Sequence, residues 1–174
     1  MMRKPRKYNY RRNLPHIEKD NRAVFITFCT YQNWRLPAQA RGLVLQHCLR
    51  EDGKRIELHA VVVMPDHVHI LFTPFRDSNT ELFTFAEVMS GIKGASAHSI
   101  NKALNRKGHV WQDESFDHVL RCEEAIEQKI DYICKNPVRR GLVSSPDKYK
   151  WLWRESAMSC TAEGGCATNS LPHS

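Results

Sequence analysis

The chain has 174 residues, 41% hydrophobic and 26% charged, enough to bury one ordinary core as a globular domain. No apolar run approaches the roughly 18 residues of a membrane span, and no apolar stretch follows the basic start Met1-Met2-Arg3-Lys4-Pro5-Arg6-Lys7. Membrane and secreted classes are therefore not expected, and a cytoplasmic protein is the default. The formal net charge of +7 is the sign a polyanion would select.

That charge is concentrated. Through residue 22 the chain carries Arg3, Lys4, Arg6, Lys7, Arg11, Arg12, Lys19 and Arg22 against only Glu18 and Asp20. Residues 1–20, polar and interrupted by Pro5 and Pro15, are expected to form an irregular basic arm whose cations contact phosphates. A catalytic domain is expected over 21–155. Residues 156–174, with few charges and many Ser, Thr, Ala and Gly, are expected to be a disordered tail. None of the six cysteines forms a C-x-x-C pair, so neither a zinc finger nor a thioredoxin-like site is indicated.

Ala23 to Thr30 is rich in β-formers and predicts the first strand. After Pro37, the face Leu43, Val44, His47 and Cys48 predicts an amphipathic helix ending at Asp52-Gly53. Ile56 to Met64 predicts a second strand, Pro65-Asp66 breaks the ladder, and His67 to Thr73 resumes as the third. Leu82, Phe85, Val88, Met89 and Ile92 give helical periodicity from Glu81 to Leu104, with Gly91 and Gly94 as weak points. Val110-Trp111-Gln112 reads as extended, and Phe116 to Arg121 as the fourth strand. A last helix runs from Glu123-Glu124 to a stop at Asn136-Pro137. The order β-α-β-β-α-β-α predicts an α+β, ferredoxin-like (split βαβ) fold. Its four-stranded antiparallel sheet carries helices on one face, with a C-terminal catalytic helix added. The other face would stay open, and His67 and His69 would point there.

His67 and His69, at i and i+2, share one side of a strand. Tyr132 and Asn136, at i and i+4, share one side of a helix. Two imidazoles and an amide oxygen suit a divalent cation, Mg²⁺ or Mn²⁺, with water and a phosphate completing the shell. Tyr132 would attack phosphorus, helped by nearby positive charge, because a free phenol keeps its proton until about pH 10. Lys93, Lys135 and the metal are candidates for that charge. Lys93, Arg139 and Arg140 join the basic arm as expected DNA contacts. Each residue also has a plainer reading: a polar pair on a half-exposed strand, a core tyrosine, a helix-capping asparagine.

The joint pattern carries more than its parts. Val62 to Phe72, reading Val-Val-Met-Pro-Asp-His-Val-His-Ile-Leu-Phe, closely resembles the histidine segment of single-strand DNA transposases with an HUH motif and one catalytic tyrosine. Val110-Trp111-Gln112, Phe116 to Arg121 and Tyr132 to Val143 resemble the downstream segments of that group, in particular its REP-associated tyrosine transposases. The resemblance implies metal binding by His67 and His69, a third ligand position at Asn136, and Tyr132 as nucleophile. It further implies transposition through cleavage and rejoining of single-stranded or hairpin DNA by a 5′-phosphotyrosine link, by a monomer or homodimer. Asp113, Glu114 and Ser115 stand where family chains are more aromatic or basic. Two other functions compete: a non-catalytic ferredoxin-like nucleic-acid module, with aromatics on its central strands, and a phosphodiesterase that uses water.

Overall fold

The computed structural model describes residues 22–76, 81–120 and 123–155. The arm expected over 1–20 and the tail expected over 156–174 lie outside them. The elements are β1 (Val24–Thr30), α1 (Ala38–Glu51), β2 (Ile56–Val63), β3 (His67–Pro74), α2 (Phe85–Met89), α3 (Ala95–Ala103), β4 (Trp111–Val119), α4 (Glu123–Arg139) and β5 (Leu152–Arg154). The strands form one antiparallel sheet in the order β4-β1-β3-β2-β5. Its first four strands have the expected split βαβ order, with a fifth added on the β2 edge.

Alternation decides what each face carries. Val24, Ile26 and Phe28 of β1, with Val68, Ile70 and Phe72 of β3, pack against Val44 and Cys48 of α1, Val88 of α2 and Ile100 of α3. The opposite face holds Ala60, Val62 and Leu71, which pack against Ile130, Ile133 and Cys134 of α4. β3 is therefore buried along its whole length. This corrects the expectation of an open face: α4 packs across β2 and β3 on the side where His67 and His69 project. Leu152-Trp153-Arg154 is too short to show a period of two, and only pairing with Ala60, Val61 and Val62 makes it a strand.

The middle helix begins later than its periodicity suggests. Leu82 bridges to Arg76, and the Phe83 N–H donates to the Phe75 carbonyl (3.0 Å), so those apolar residues extend the sheet region. The helix starts at a capping box in which the Glu87 N–H donates to Thr84 Oγ1 and the Thr84 N–H to Glu87 Oε2 (3.3 and 2.8 Å). A π-turn over Ser90–Gly94 joins α2 to α3. A Cβ on Gly91 would lie 2.7 Å from both Arg55 Nη1 and Glu51 Oε1, so its absence admits that ion pair.

α4 runs past the expected stop at Asn136-Pro137, with Pro137 inside it. Proline removes one hydrogen bond, a tolerable loss this close to the end of the helix. Termination comes later, at Gly141 with φ +66°. There the Gly141 N–H donates to the Val138 carbonyl and the Leu142 N–H to the Pro137 carbonyl, each at 2.9 Å. That is a Schellman cap, which favours glycine in the left-handed region. The extra turn keeps Arg139 in helical register with Tyr132 and Asn136.

Candidate active site

β1, β3 and α4 meet at a cleft of about 480 Å³ lined by Thr27, His67, His69, Tyr132, Asn136, Arg139 and Arg140. The register sets Thr27 directly opposite His69. The His69 Nδ1 lies 2.7 Å from the Thr27 hydroxyl, and the His67 Nδ1 lies 2.6 Å from an Asp66 carboxylate oxygen. The carboxylate accepts, so His67 Nδ1 carries a proton and donates it. In both rings the hydrogen bond is made through Nδ1. The ring centroids stand 4.6 Å apart. Tyr132 meets His69 edge-on at 5.4 Å and Phe25 at 6.0 Å.

Charge in the cleft is arranged by depth. Burial pushes the His69 imidazole down to about 3, with His67, Arg140 and Lys129 adding to the effect, so His69 is neutral at physiological pH. Burial alone would raise the Asp66 carboxyl, but its hydrogen bond from His67 and the charges of His67 and Arg140 hold it below the usual range. Arg140 Nη1 stands 3.7 Å from the other Asp66 oxygen. Tyr132 is 36% exposed, with the Lys129 ammonium 5.5 Å and the Arg139 guanidinium 5.7 Å from its ring centre.

Two imidazoles and a carboxamide oxygen are a mixed nitrogen and oxygen donor set for a divalent cation. Asn136 is 7% exposed and lines the cleft, and its backbone carbonyl accepts from the Arg140 N–H at 3.0 Å. Among the described residues no three of His, Cys, Asp and Glu converge as a metal site. Two imidazoles would thus rely on the Asn136 oxygen, with water and phosphate oxygens completing the shell.

The family model for IS200-like transposases matches residues 9–136. The chain belongs to that family. An Escherichia coli REP-associated tyrosine transposase is 30% identical over 88 residues, 50% of this chain and 47% of that protein. A Haemophilus influenzae relative named for the same group is 25% identical over 92 residues, covering 50% of this chain and 52% of the relative. The chain thus spans about half the length of these curated relatives. In fold, it is similar to a solved REP-associated tyrosine transposase bound to a REP hairpin: the TM-score is 0.61 at 20% identity, covering 87% of this chain and 82% of that one.

For this IS200-like chain the structure brings Tyr132, His67, His69, Asn136, Arg139 and Arg140 into one cleft, the two arginines lying beyond the family match. Lys93 is not brought there. Its ammonium donates to the Gln112 and Asp113 carbonyls and to Ser115 Oγ, at 2.7, 3.3 and 3.2 Å. Lys135 is tied to Asp131 at 2.8 Å, and Lys129 is the lysine beside Tyr132. Arg3, Lys4, Arg6, Lys7, Arg11 and Arg12 lie outside the described residues. Sequence reading passed over Thr27 and Asp66 as site residues. The signal for Thr27 was a hydroxyl between Phe25 and Cys29 on one face of the strand; for Asp66 it was adjacency to His67. Among the described residues no helix is long and apolar enough to cross a membrane.

The His69 environment has a measurable consequence in metal-free protein. The unfolded chain takes a proton on this ring near 6.5, whereas the folded chain refuses it until about 3. Stability is thus lost as pH falls below 6.5, by about 1.4 kcal/mol per pH unit for this group. His47, also lowered by burial and by Arg50, adds a slope of its own. Denaturant unfolding with chelator between about pH 7 and pH 5 should show His69→Gln losing roughly one proton's worth of slope. An unchanged slope would mean that His69 is not buried neutral.

Proposed function

We propose that this chain is a metal-dependent single-stranded DNA endonuclease and strand transferase that works through a covalent 5′-phosphotyrosine intermediate. The observation that carries the reading is one cleft lined by an exposed phenol, two imidazoles hydrogen-bonded through Nδ1 and the Asn136 side chain, under a cationic rim. Tyr132 Oη attacks phosphorus, the P–O3′ bond breaks, and the departing 3′ oxygen takes up a proton. A 5′-phosphotyrosine and a free 3′-hydroxyl result. Attack of a 3′-hydroxyl on that ester reverses the step and rejoins strands, because the phosphodiester energy is retained in the tyrosyl ester.

Each residue has a part in this. Arg139 and Arg140 hold the phosphate beside Tyr132. Asp66 and Thr27 orient the two imidazoles. A magnesium or manganese ion held by His67, His69 and Asn136 would polarise a phosphoryl oxygen and relieve the charge that builds during transfer. Hairpin DNA of the repetitive palindromic kind is the proposed substrate. It rests on the sequence resemblance and on the hairpin carried by the solved relative. The cytoplasm is the compartment this function needs.

The test is a denaturing gel after mixing the protein, manganese and an end-labelled, hairpin-bearing single strand. A slow-migrating covalent adduct that requires the metal is the expected result. Cleavage without an adduct would transfer the reading to a water-using phosphodiesterase. Binding to several hairpins with no cleavage at all would leave a nucleic-acid-binding module.

A further inference from the structure

We propose that Phe116 is a stacking platform for a nucleobase of the single-stranded DNA that enters or leaves the Tyr132 cleft. The site itself accounts for phosphate and metal but gives no surface to the bases. Phe116 supplies one. Phe116 is 68% exposed, more than Tyr31, Leu142 or Tyr132, the other exposed large apolar residues among those described.

A lone exposed apolar residue ordinarily needs no explanation; the position of this one does. Thr27 pairs directly with His69 on one side and with Phe116 on the other. Residues directly opposite in adjacent strands point to the same face of a sheet. Phe116, Thr27 and His69 therefore form one transverse row, running from the edge strand β4 into the cleft. Two strand spacings separate Phe116 from His69, about 10 Å. That span equals roughly three nucleotides at the stacked rise of about 3.4 Å.

The bulge in β4 keeps this row intact. Trp111 pairs with Thr30 and Ser115 with Phe28, so the residues between them loop out opposite Cys29. Asp113 and Glu114, the acidic pair noted in the sequence, fall in that bulge, before Phe116 resumes the ladder. α4 packs over β2 and β3, leaving the ring on β4 to solvent. Lys129, Arg139 and Arg140 lie on the α4 side of the cleft, where they can hold a backbone whose bases turn toward the sheet. An aromatic face beside a cationic track is the pairing that binds single strands with little sequence preference.

This inference rests on the Tyr132 cleft being a single-strand site, so the experiment separates the two. Binding is read in a Tyr132→Phe background, without cleavage, using short single-stranded oligonucleotides with 2-aminopurine moved position by position. Anisotropy gives affinity, and quenching of the probe reports stacking. Phe116→Ala should weaken binding roughly five- to hundred-fold, the range for losing one base–aromatic stack, and should abolish quenching at one or two adjacent positions. Phe116→Leu, which keeps the bulk and drops the π face, should behave like alanine. Phe116→Trp should restore both readouts. Binding as tight as the parent's in Phe116→Ala, with quenching retained, would overturn the platform and leave the Tyr132 reading standing. A change of oligomeric state in Phe116→Ala with unchanged DNA affinity would overturn it in favour of an interface along the β4 edge. Failure of the parent to bind any single strand would bring down both readings together.

Discussion

Tyr132→Phe is expected to abolish the covalent adduct and to slow strand cleavage by on the order of 10⁴-fold or more, the scale on which removal of a nucleophile acts. The substitution removes one oxygen and little else. The ring contacts with His69 and Phe25, at 5.4 and 6.0 Å, do not involve the hydroxyl. Lys129 and Arg139 remain beside the ring, so DNA affinity and thermal stability should stay near those of the parent. That separation makes the result decisive. If water were the nucleophile, the phenylalanine variant would cleave nearly as fast as the parent, and neither protein would carry a labelled strand. Cleavage near the parental rate would end Tyr132's candidacy whatever the gel of the parent showed.

Much of this site was legible in the sequence because it is built from short-range periodicities. Two residues along a strand and four along a helix are spacings that any fold must respect, so His67 with His69, and Tyr132 with Asn136, were paired before the elements were assembled. The meeting of the two pairs across the sheet depends on α4 lying over β2 and β3. That placement comes from the side chains Ile130, Ile133 and Cys134, and nothing local to the helix names the sheet face they bury against. Lys93 shows the opposite failure. A lysine in a helix carries no mark of which carbonyls will claim it, and the carbonyls of Gln112 and Asp113 become available only because the β4 ladder bulges there. The stop assigned to Asn136-Pro137 failed because local proline rules set a preference, whereas the Schellman cap at Gly141 sets the boundary. Without that last turn Arg139 would leave the Tyr132 face of the helix. Phe116 was legible as a strand residue only; its relation to the histidines needed the register on both edges of β1.

Removing either imidazole should show whether a metal organises this cleft. His67→Ala and His69→Ala are each expected to lose manganese binding, measured by calorimetry or by the spin signal of the free ion. Cleavage should fall by several kcal/mol of transition-state stabilisation, on the order of 10³-fold. The two variants should differ in stability, however. His69 is the more enclosed ring, stacked on Phe25 at 5.5 Å and bonded to Thr27, so its alanine variant leaves a hole in the sheet face. His67 lies at the start of β3 against Asp66, and truncation there leaves that carboxylate facing Arg140 alone. For this reason the glutamine variants belong in the same experiment: each fills the ring's space with a poorer metal ligand and keeps the strand packed. Loss of metal binding and activity in His67→Gln and His69→Gln, with unfolding transitions intact, would assign both rings to the metal. Parental activity in the presence of excess chelator would refute that role. The phenol, the two arginines and the Asp66–Arg140 pair would then have to carry phosphoryl transfer unaided, in a cleft where the buried His69 imidazole stays neutral and contributes no charge.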